Sequence, residues 1–436
     1  MITNLANQRG VFGVRRMWTL ALAMAAFVTA SSAMADDATP ILIRAKKIYL
    51  SPERVVSPGA ILVRDGKIDR IDETIEIADE VRVVNLEAAT ITAGLIDANT
   101  NAGYRFGYHD AEHASECIPE MRVLDTIDLE SNDFRRLAQA GVTTVYVSPD
   151  SASVIGAQGT IVRTAGPVEA RVVQETAGVK ATLGREPIFK ASFNRTPSQF
   201  GTSFLTRRPT TRMGLVWVFR KSFHDAQTFA RGETPGTRGE GSPSDAAIPN
   251  LIRILNNEIP FRIQARSQLD ILTAIRLSHE FNLKFVLEEG TDAYRCIDEL
   301  KADNIPVIYG PIFDYPIGFR AGTGESDRFR YSAPAELVNA GVTLALSAGD
   351  ITGEGALPMQ AGYAMRLGLT REQALAAATT IPAGLLNISD LAGSLDAGRA
   401  ADLVVWSGEP FEATTRAEMV FINGRLVSDR TVKKGS

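Results

Sequence analysis

The amino-acid sequence predicts an α/β protein in which a (β/α)8 TIM-like barrel is joined to a small composite β-sandwich formed by the N- and C-terminal segments. Three observations support this fold class. The chain has 436 residues, which suits a barrel of about 250 residues plus a smaller second body. Both ends of the chain are rich in β-forming runs separated by turn residues. The middle alternates apolar strand-like runs with amphipathic helical patterns, which is the order of a parallel sheet.

The N-terminal 35 residues form a segment of their own. Three arginines precede an apolar run from Met17 to about Ala30, and Ala33-Met34-Ala35 supplies the small residues that signal peptidase recognises. We therefore interpret residues 1–35 as a cleaved export signal and expect a periplasmic or secreted protein. No later run approaches the roughly 20 apolar residues that a membrane-spanning helix needs, so no membrane span is expected.

Residues 36–92 and 393–436 are predicted to build the β-sandwich together. The first segment contains β-rich runs such as Ala60–Lys67, and the second contains Asn423-Gly424, a strong hairpin turn signal. Neither segment can bury both faces of a sheet alone. The economical arrangement therefore pairs them and inserts the barrel, residues 93–392, between them.

Strands and helices alternate within the predicted barrel. The strand-like runs are Val142–Val147, Phe261–Ile263, Lys284–Leu287, Ile305–Ile308 and Val342–Leu346. Helical patterns cover residues 270–280 and 292–301, and a capping box at Thr370–Gln373 begins a final helix. The Gly-, Pro- and Ser-rich stretch 231–247 predicts a flexible insertion. At this length the alternation favours a closed barrel over an open sheet.

Charge and cysteine content exclude some classes of function. Lys and Arg number 46 and Asp and Glu number 51, a formal net charge of −5, so no basic face predicts nucleic-acid binding. Cys117 and Cys296 are the only cysteines. They permit one disulfide in an oxidising compartment, but we favour two separate buried thiols.

Six motifs stand in order along the chain: GLID at 94–97, AGVTTVYVSPDSASVIGAQG at 140–159, AGVKATLG at 177–184, RMGLVWVFRKSFHDAQ at 212–227, LEEGTDAY at 287–294 and GSLDAGRAADLVVW at 393–406. With these motifs the chain resembles the amidohydrolase superfamily, specifically the imidazolonepropionase-like amidohydrolases, over nearly all of its mature length. The resemblance implies a metal-dependent hydrolase fold that acts on non-peptide carbon–nitrogen bonds of cyclic amide-type substrates. It also implies that the metal site lies at the C-terminal mouth of the barrel.

The resemblance implies which positions would hold the metal, and most of them lack histidine. The family's histidines on the first, fifth and sixth barrel strands correspond here to Asn99 and Asn101, to Gln264, and to Glu289. Asp350 stands where the family places a ligand at the end of the eighth strand, and Lys180 lies where two-metal members carry a carboxylated lysine. Carboxamide oxygens are weak ligands for Zn²⁺. A catalytic zinc site is therefore not expected.

Other uses of these residues stay open. The oxygen donors would suit Mg²⁺ or Ca²⁺, or Glu289 and Asp350 would share a proton as a metal-free acid/base pair. His109 and His113 are spaced to share a helix face and chelate Zn²⁺, although a solvated polar segment is the preferred interpretation. Asp97, Asn99 and Asn101 stand at every second position, so they should share one face of the strand. Asp97 is either a carboxylate at the mouth or a buried residue hydrogen-bonded to backbone.

We expect an exported amidohydrolase-family protein whose hydrolytic activity is impaired or absent, a pseudoenzyme candidate with no cofactor. The competing hypothesis is a non-catalytic protein that binds a small molecule in the old active-site pocket. Alternatively, the non-catalytic chain would be a structural partner of an intact amidohydrolase, in a homo- or hetero-oligomer. A small-molecule ligand or substrate is expected under both hypotheses.

Removal of residues 1–35 is expected, so that the mature protein begins at Asp36. The reason is the small residues at Ala33 and Ala35, which fit the cleavage pocket of signal peptidase. The intact mass of exported protein checks this. Recovery of the full-length chain in the cytoplasm would contradict it.

Overall fold

The computed structural model describes residues 40–77, 81–104, 115–188, 209–233, 242–312, 325, 328–353 and 356–431. Within these ranges the protein has a mixed α/β fold with three sheets. Among the helices of the same ranges, none is long and apolar enough to cross a membrane.

The strands, numbered in chain order, are β1 (Ile41–Tyr49), β2 (Val55–Val56), β3 (Gly59–Arg64), β4 (Lys67–Asp72), β5 (Arg82–Ala93), β6 (Leu95–Thr100), β7 (Val142–Val147), β8 (Ile155–Gln158), β9 (Thr160–Arg163), β10 (Val172–Gln174), β11 (Val179–Thr182), β12 (Phe261–Ala265), β13 (Val286–Glu289), β14 (Val307–Tyr309), β15 (Leu344–Leu346), β16 (Leu403–Trp406), β17 (Ala417–Ile422) and β18 (Arg425–Asp429). The helices are α1 (Asn132–Gln139), α2 (Arg212–Ala230), α3 (Ile248–Leu255), α4 (Gln268–Phe281), α5 (Ile297–Ala302), α6 (Ala333–Asn339), α7 (Leu357–Arg366), α8 (Arg371–Ala378) and α9 (Thr380–Leu385).

Both ends of the chain meet in one eight-stranded sheet with the order β18-β17-β16-β5-β1-β3-β4, and β2 pairs with β1. The two ends join where β16 pairs antiparallel with β5. Beside this pairing the indole Nε1 of Trp406 donates to Thr92 Oγ1 at 2.9 Å. Asn423 and Gly424 both have positive φ, 50° and 73°, as the expected tight hairpin turn requires. The prediction that both ends share one β unit is therefore confirmed at the level of strand pairing.

The strands of the middle segment follow one another around a ring. β6 and β7 pair in parallel, and β11 to β15 pair in parallel with their successive neighbours. A parallel bridge between Thr100 and Gly349 links β6 to the segment after β15. Between β7 and β11 the ring continues through the joined strands β8 and β9, which run antiparallel to their neighbours. Seven of the ring strands, β6, β7 and β11 to β15, are thus parallel.

Apolar side chains fill two regions that the ring separates. One cluster takes alternate residues from strands on different sides of the ring: Ile96, Ala98, Tyr146, Ile161, Ile308 and Ala345. These side chains therefore occupy the interior of the ring, which we call the lumen. The intervening residues, such as Leu95, Val145, Ile263 and Leu287, pack in a larger cluster with side chains of α2 and α4. This alternation follows from the two-residue period of a strand.

Local predictions differ in outcome. The capping box of Thr370 and Gln373 is present at the start of α8, and Cys117 and Cys296 are buried free thiols as favoured. The helix expected over 292–301 is divided, because a 3-10 turn at Ala293–Arg295 comes before α5. Most of the predicted insertion at 231–247 lies outside the described residues.

Gly159, between β8 and β9, should not tolerate a side chain. A Cβ there would lie 2.2 Å from both Cζ and Oη of Tyr146, whose aromatic side chain lies in the lumen. We expect Gly159→Ala to lower the free energy of unfolding by about 1–3 kcal/mol through overpacking, measured by chemical denaturation. Gly353→Ala is the control, because nothing lies within 4 Å of its added Cβ. Equal stability of the two variants would contradict the expectation.

Candidate functional site

A buried arginine crosses the lumen of the ring. Arg262, on β12, donates from Nε to Glu288 Oε1 at 2.5 Å, and its other arm donates to the carbonyl oxygen of Ala98 on β6. The guanidinium carbon lies 3.7 Å from the ring centroid of Tyr146 on β7. One side chain therefore contacts three other strands, β13, β6 and β7, and places a positive charge in the lumen.

Lys180 lies in the same lumen. Its Nζ is 3.3 Å from Glu288 Oε2 and donates to Ser148 Oγ at 3.1 Å. Both Lys180 and Glu288 are at least 97% buried. The amine of Lys180 is therefore engaged by protein groups of the lumen.

Sequence reasoning missed Arg262 and Glu288, which form the centre of the lumen. Glu288 precedes by one residue the glutamate that the motif comparison selected, Glu289. The available signal was the alternation of the strands: Arg262 and Gln264 share one face of β12, and Glu288 stands beside Gln264 in the register of β12 with β13. Charged residues at alternate positions of apolar strands mark the interior face.

Gln264 is buried above Arg262, toward the C-terminal end of β12. Its Oε1 accepts from Ser151 Oγ at 2.6 Å, and its Nε2 donates to Glu186 Oε2 at 2.6 Å. Both ends of the carboxamide are therefore engaged. The residue takes part in a protein network instead of presenting a free donor oxygen.

Arg266 connects this network to three carboxylates at the mouth of the ring. Its Nε lies 2.5 Å from Glu289 Oε2, one terminal nitrogen lies 3.1 Å from Glu186 Oε1, and the other lies 3.5 Å from Glu325 Oε2. Burial opposes the charge of Arg266, but the three carboxylates outweigh burial and raise its pKa. We call Gln264, Arg266, Glu186, Glu289 and Glu325 the mouth network.

Glu325 also has hydrogen-bond partners outside the mouth network. Its Oε1 accepts from the backbone N–H of Arg185 at 2.5 Å and from Arg212 at 3.3 Å. Burial is the largest cause that raises the pKa of Glu325 to about 7, and Asp270 and Glu186 add to the shift while Arg266 opposes it. Arg212 in turn holds both oxygens of Asp270, each at 2.9 Å.

The first strand of the ring ends in buried polar groups. Asp97 is fully buried, and its carboxylate accepts from the backbone N–H groups of Asn99 at 3.1 Å and Ala348 at 2.9 Å. Burial raises the pKa of Asp97 to about 6, against the effect of these bonds. Asn99 is buried, and its backbone carbonyl accepts from Ser347 Oγ at 2.6 Å. The geometry of Asp97 is that of the second alternative, a buried residue bonded to neighbouring backbone.

The predicted residues fall into two described groups. Asn99 and Asn101 lie beside the segment that contains Asp350, through the bridge between Thr100 and Gly349 and the bond from Ser347 to Asn99. Gln264 and Glu289 meet through Glu186 and Arg266. Asn101 is half-buried, and Asp350 is exposed beyond β15. His109 and His113 lie outside the described residues.

The residues present do not fit a catalytic zinc ion. Among the described residues, no three His, Cys, Asp or Glu side chains are arranged to hold a metal. The carboxylates of the mouth network already surround a guanidinium, and Gln264 uses both ends of its amide. Zn²⁺ binds imidazole, thiolate and carboxylate groups, so a dication would compete with Arg266 for its carboxylates.

Comparisons with known proteins give a consistent result. The sequence model of a family described as "Amidohydrolase family" matches residues 326–428. The chain is 24% identical over 401 residues to the amidohydrolase tasK of Hapsidospora irregularis, covering 86% of this chain and 40% of that protein. The chain thus spans less than half the length of this curated relative.

Solved structures extend the comparison. An amidohydrolase from Thermotoga maritima MSB8 superposes with a TM-score of 0.76 and 29% identity, covering 89% of this chain and 100% of the other. A prolidase complexed with N-methylphosphonate-L-proline superposes with a TM-score of 0.55 and 16% identity over 90% of this chain and 100% of the other. The second likeness is one of fold alone.

The contribution of Glu325 and Asp97 to the free energy of unfolding should fall as pH rises from about 4 to about 7. Glu325 and Asp97 have folded-state pKa values of about 7 and about 6, above their ordinary values of 4.5 and 3.8. In this window the folded state holds protons that the unfolded state has lost, so stability present at low pH is lost as pH rises. Glu325→Gln should flatten this dependence in denaturation experiments from pH 4 to pH 8. The exposed Glu53→Gln is the matched control, and equal slopes for Glu325→Gln and the unmodified protein would contradict the assignment.

Proposed function

Because this chain belongs to the amidohydrolase superfamily, we propose that it is an exported member in which zinc-dependent hydrolysis of non-peptide carbon–nitrogen bonds is impaired or lost. One observation carries the proposal. The guanidinium of Arg266 stands among Glu186, Glu289 and Glu325 at the mouth of the ring. In this proposal the ring is the family's (β/α)8 barrel with β8 and β9 at its third position, and the eight-stranded sheet is its small β-sandwich. Export rests on residues 1–35 alone.

The missing chemistry is large in energetic terms. A catalytic metal lowers the pKa of its bound water from 15.7 to about 7, which corresponds to roughly 12 kcal/mol at 1.36 kcal/mol per pKa unit. A guanidinium keeps its proton at neutral pH and offers no open coordination position. Arg266 therefore pairs with the carboxylates of the mouth without generating hydroxide.

The metal-free acid/base pair of Glu289 and Asp350 has little support in the geometry. Two carboxylates share a proton when they lie together and repel each other. Glu289 is instead buried in an ion pair with Arg266, and Asp350 is exposed. An oxygen-ligand Mg²⁺ site meets the same obstacle as zinc, because Arg266 holds the carboxylates such a site would need.

A non-catalytic, ligand-binding role is the second candidate, and one observation favours it. The mouth network is satisfied by its own hydrogen bonds and ion pairs, so the pocket needs no metal to stay folded. Such a pocket retains a shaped, polar mouth after its chemistry is lost. Binding of a small molecule without turnover would separate this role from residual hydrolysis.

The purified protein should hold less than stoichiometric Zn²⁺, Mn²⁺ or Fe²⁺ after dialysis, and chelators should leave its melting temperature unchanged. A ligand bound only by the folded state raises stability by RT ln(1 + [L]/Kd). A protein without a tight metal site should therefore show no change in melting temperature when a chelator is added. Elemental analysis and thermal melts with EDTA measure both quantities. Tight stoichiometric metal would overturn the proposal and return Lys180, Glu289 and Asp350 to consideration as ligands.

Rebuilding the site tests the role of Arg266 directly. Asn99→His, Asn101→His, Gln264→His and Glu289→His together restore imidazoles at the inherited positions. We expect this variant to bind Zn²⁺ at least tenfold more weakly than the same variant with Arg266→Met, because like charges at close range repel in a buried site. Calorimetric titration with Zn²⁺ measures the ratio. Equal affinity in the two variants would show that Arg266 is not the obstacle.

A further inference from the structure

A cavity of about 350 Å³ lies beside the mouth network, between residues 118–126, the loop after β7 and strand β8. Its volume falls within the range of roughly 300–1,000 Å³ that is usual for small-molecule sites. Gln264, Arg266 and Glu289 do not line it. The cavity is therefore separate from the mouth network, although Ser151, which contacts Gln264, directly follows Asp150 in its wall.

Backbone hydrogen bonds hold the walls of this cavity in place. The N–H of Ile118 donates to Ile155 O at 2.9 Å, and the N–H of Gln158 donates to Met121 O at 2.8 Å. The Gln158 side chain adds a bond from Nε2 to Pro119 O at 2.9 Å. Residues 118–121 are thus tied to β8, and the cavity exists before any ligand enters.

Two carboxylates that line the cavity each have one unsatisfied oxygen. Asp150 is 8% exposed, and its Oδ1 accepts from the N–H of Ala152 at 2.8 Å. Glu120 Oε1 accepts from Ser244 Oγ at 2.8 Å. The second oxygens, Asp150 Oδ2 and Glu120 Oε2, are buried and have no hydrogen-bond partner among the described residues. Buried acceptors without donors are costly, so these two oxygens are suited to a ligand that brings N–H donors.

Charge and apolar surface define that ligand further. Among the described residues of the lining, Asp125 is the third carboxylate and Arg122 the only cation, so these residues carry a formal charge of 1 − 3 = −2. Arg122 is neutralised by Asp125 at 2.8 Å and Glu175 at 3.0 Å. Apolar side chains, among them Ile118, Val123 and Pro149, complete the walls. Because the described residues contain no group of three metal-ligating side chains, the fitting cation is an organic one.

We propose that this cavity binds a small aliphatic ammonium compound. Its N–H groups donate to Asp150 Oδ2 and Glu120 Oε2, and its hydrocarbon chain packs on the apolar wall. Hydrogen bonds between an ammonium group and a carboxylate are stronger than hydrogen bonds between neutral groups. The proposal stands whether or not the mouth network hydrolyses anything.

The test uses three five-carbon compounds of matched length with the purified protein: 1,5-diaminopentane, 1,5-pentanediol and glutarate. Binding is measured by calorimetry and by ligand-observed NMR. We expect the diamine to bind, and the diol and the dianion to bind at least tenfold more weakly. Binding of the diamine should also weaken as salt concentration rises.

Two variants locate the site. Asp150→Asn should weaken diamine binding about tenfold or more, and its Oδ1 still accepts from Ala152 N–H, so the loop stays intact. Glu120→Gln should also weaken binding, because both substitutions remove the charge of a carboxylate that faces the ammonium group. Asp298→Asn, an exposed acid on α5, is the matched control and should leave binding unchanged. Thermal melts of each variant confirm folding.

Several outcomes would overturn the proposal. They are equal affinity for the three compounds, no binding of the diamine, or diamine binding that Asp150→Asn and Glu120→Gln leave unchanged. If Asp150→Asn does not fold, Glu120→Gln alone decides the question. Metal analysis of the mouth network has no bearing on these results, so failure here and failure of the proposed function are distinguishable.

Discussion

The interior of the ring depends on the ion pair between Arg262 and Glu288. Both side chains are almost completely buried, and a buried charge is tolerated only when it is paired and hydrogen-bonded. Removal of one partner of such a pair typically costs about 3–5 kcal/mol, because the other charge is left uncompensated. The pair also sets the positions around it, since Arg262 reaches Ala98 and Tyr146 and Glu288 holds Lys180. A lumen of this kind is specified by charge as much as by apolar packing.

The mouth network is also built around a buried arginine, but here the negative charges outnumber the positive one. Arg266 faces three carboxylates, more negative charge than one guanidinium neutralises, and the excess is relieved where burial raises the pKa of Glu325 to about 7. A proton on Glu325 and the charge of Arg266 together offset two of the three negative charges. Protein groups and a proton therefore balance most of the charge of the mouth network.

The sequence predicted the fold better than it predicted the site. The terminal strands, the Asn423-Gly424 turn and the capping box at Thr370 follow from local chemistry that each segment carries alone. The partners of Arg262 do not, because they lie on strands that are distant in sequence and meet only when the ring closes. Glu289 was selected from its motif, whereas Glu288 is the residue in the lumen. Neighbouring residues of a strand point to opposite faces, so a choice that is wrong by one residue selects the wrong face. Glu289 also has a φ of 68°, which departs from regular strand geometry at the end of β13.

The pairing of β5 with β16 has a consequence for the order in which the molecule is assembled. The bond from Trp406 to Thr92 joins residues 314 positions apart, so during synthesis β5 has no neighbour on one side until β16 has been made. Contacts of such long range slow folding, and an unpaired strand edge is open to other chains in the meantime. A chain truncated before β16 would expose the unpaired edge of β5 to other chains. Pairing with β16 therefore covers the edge of β5 that would otherwise stay open.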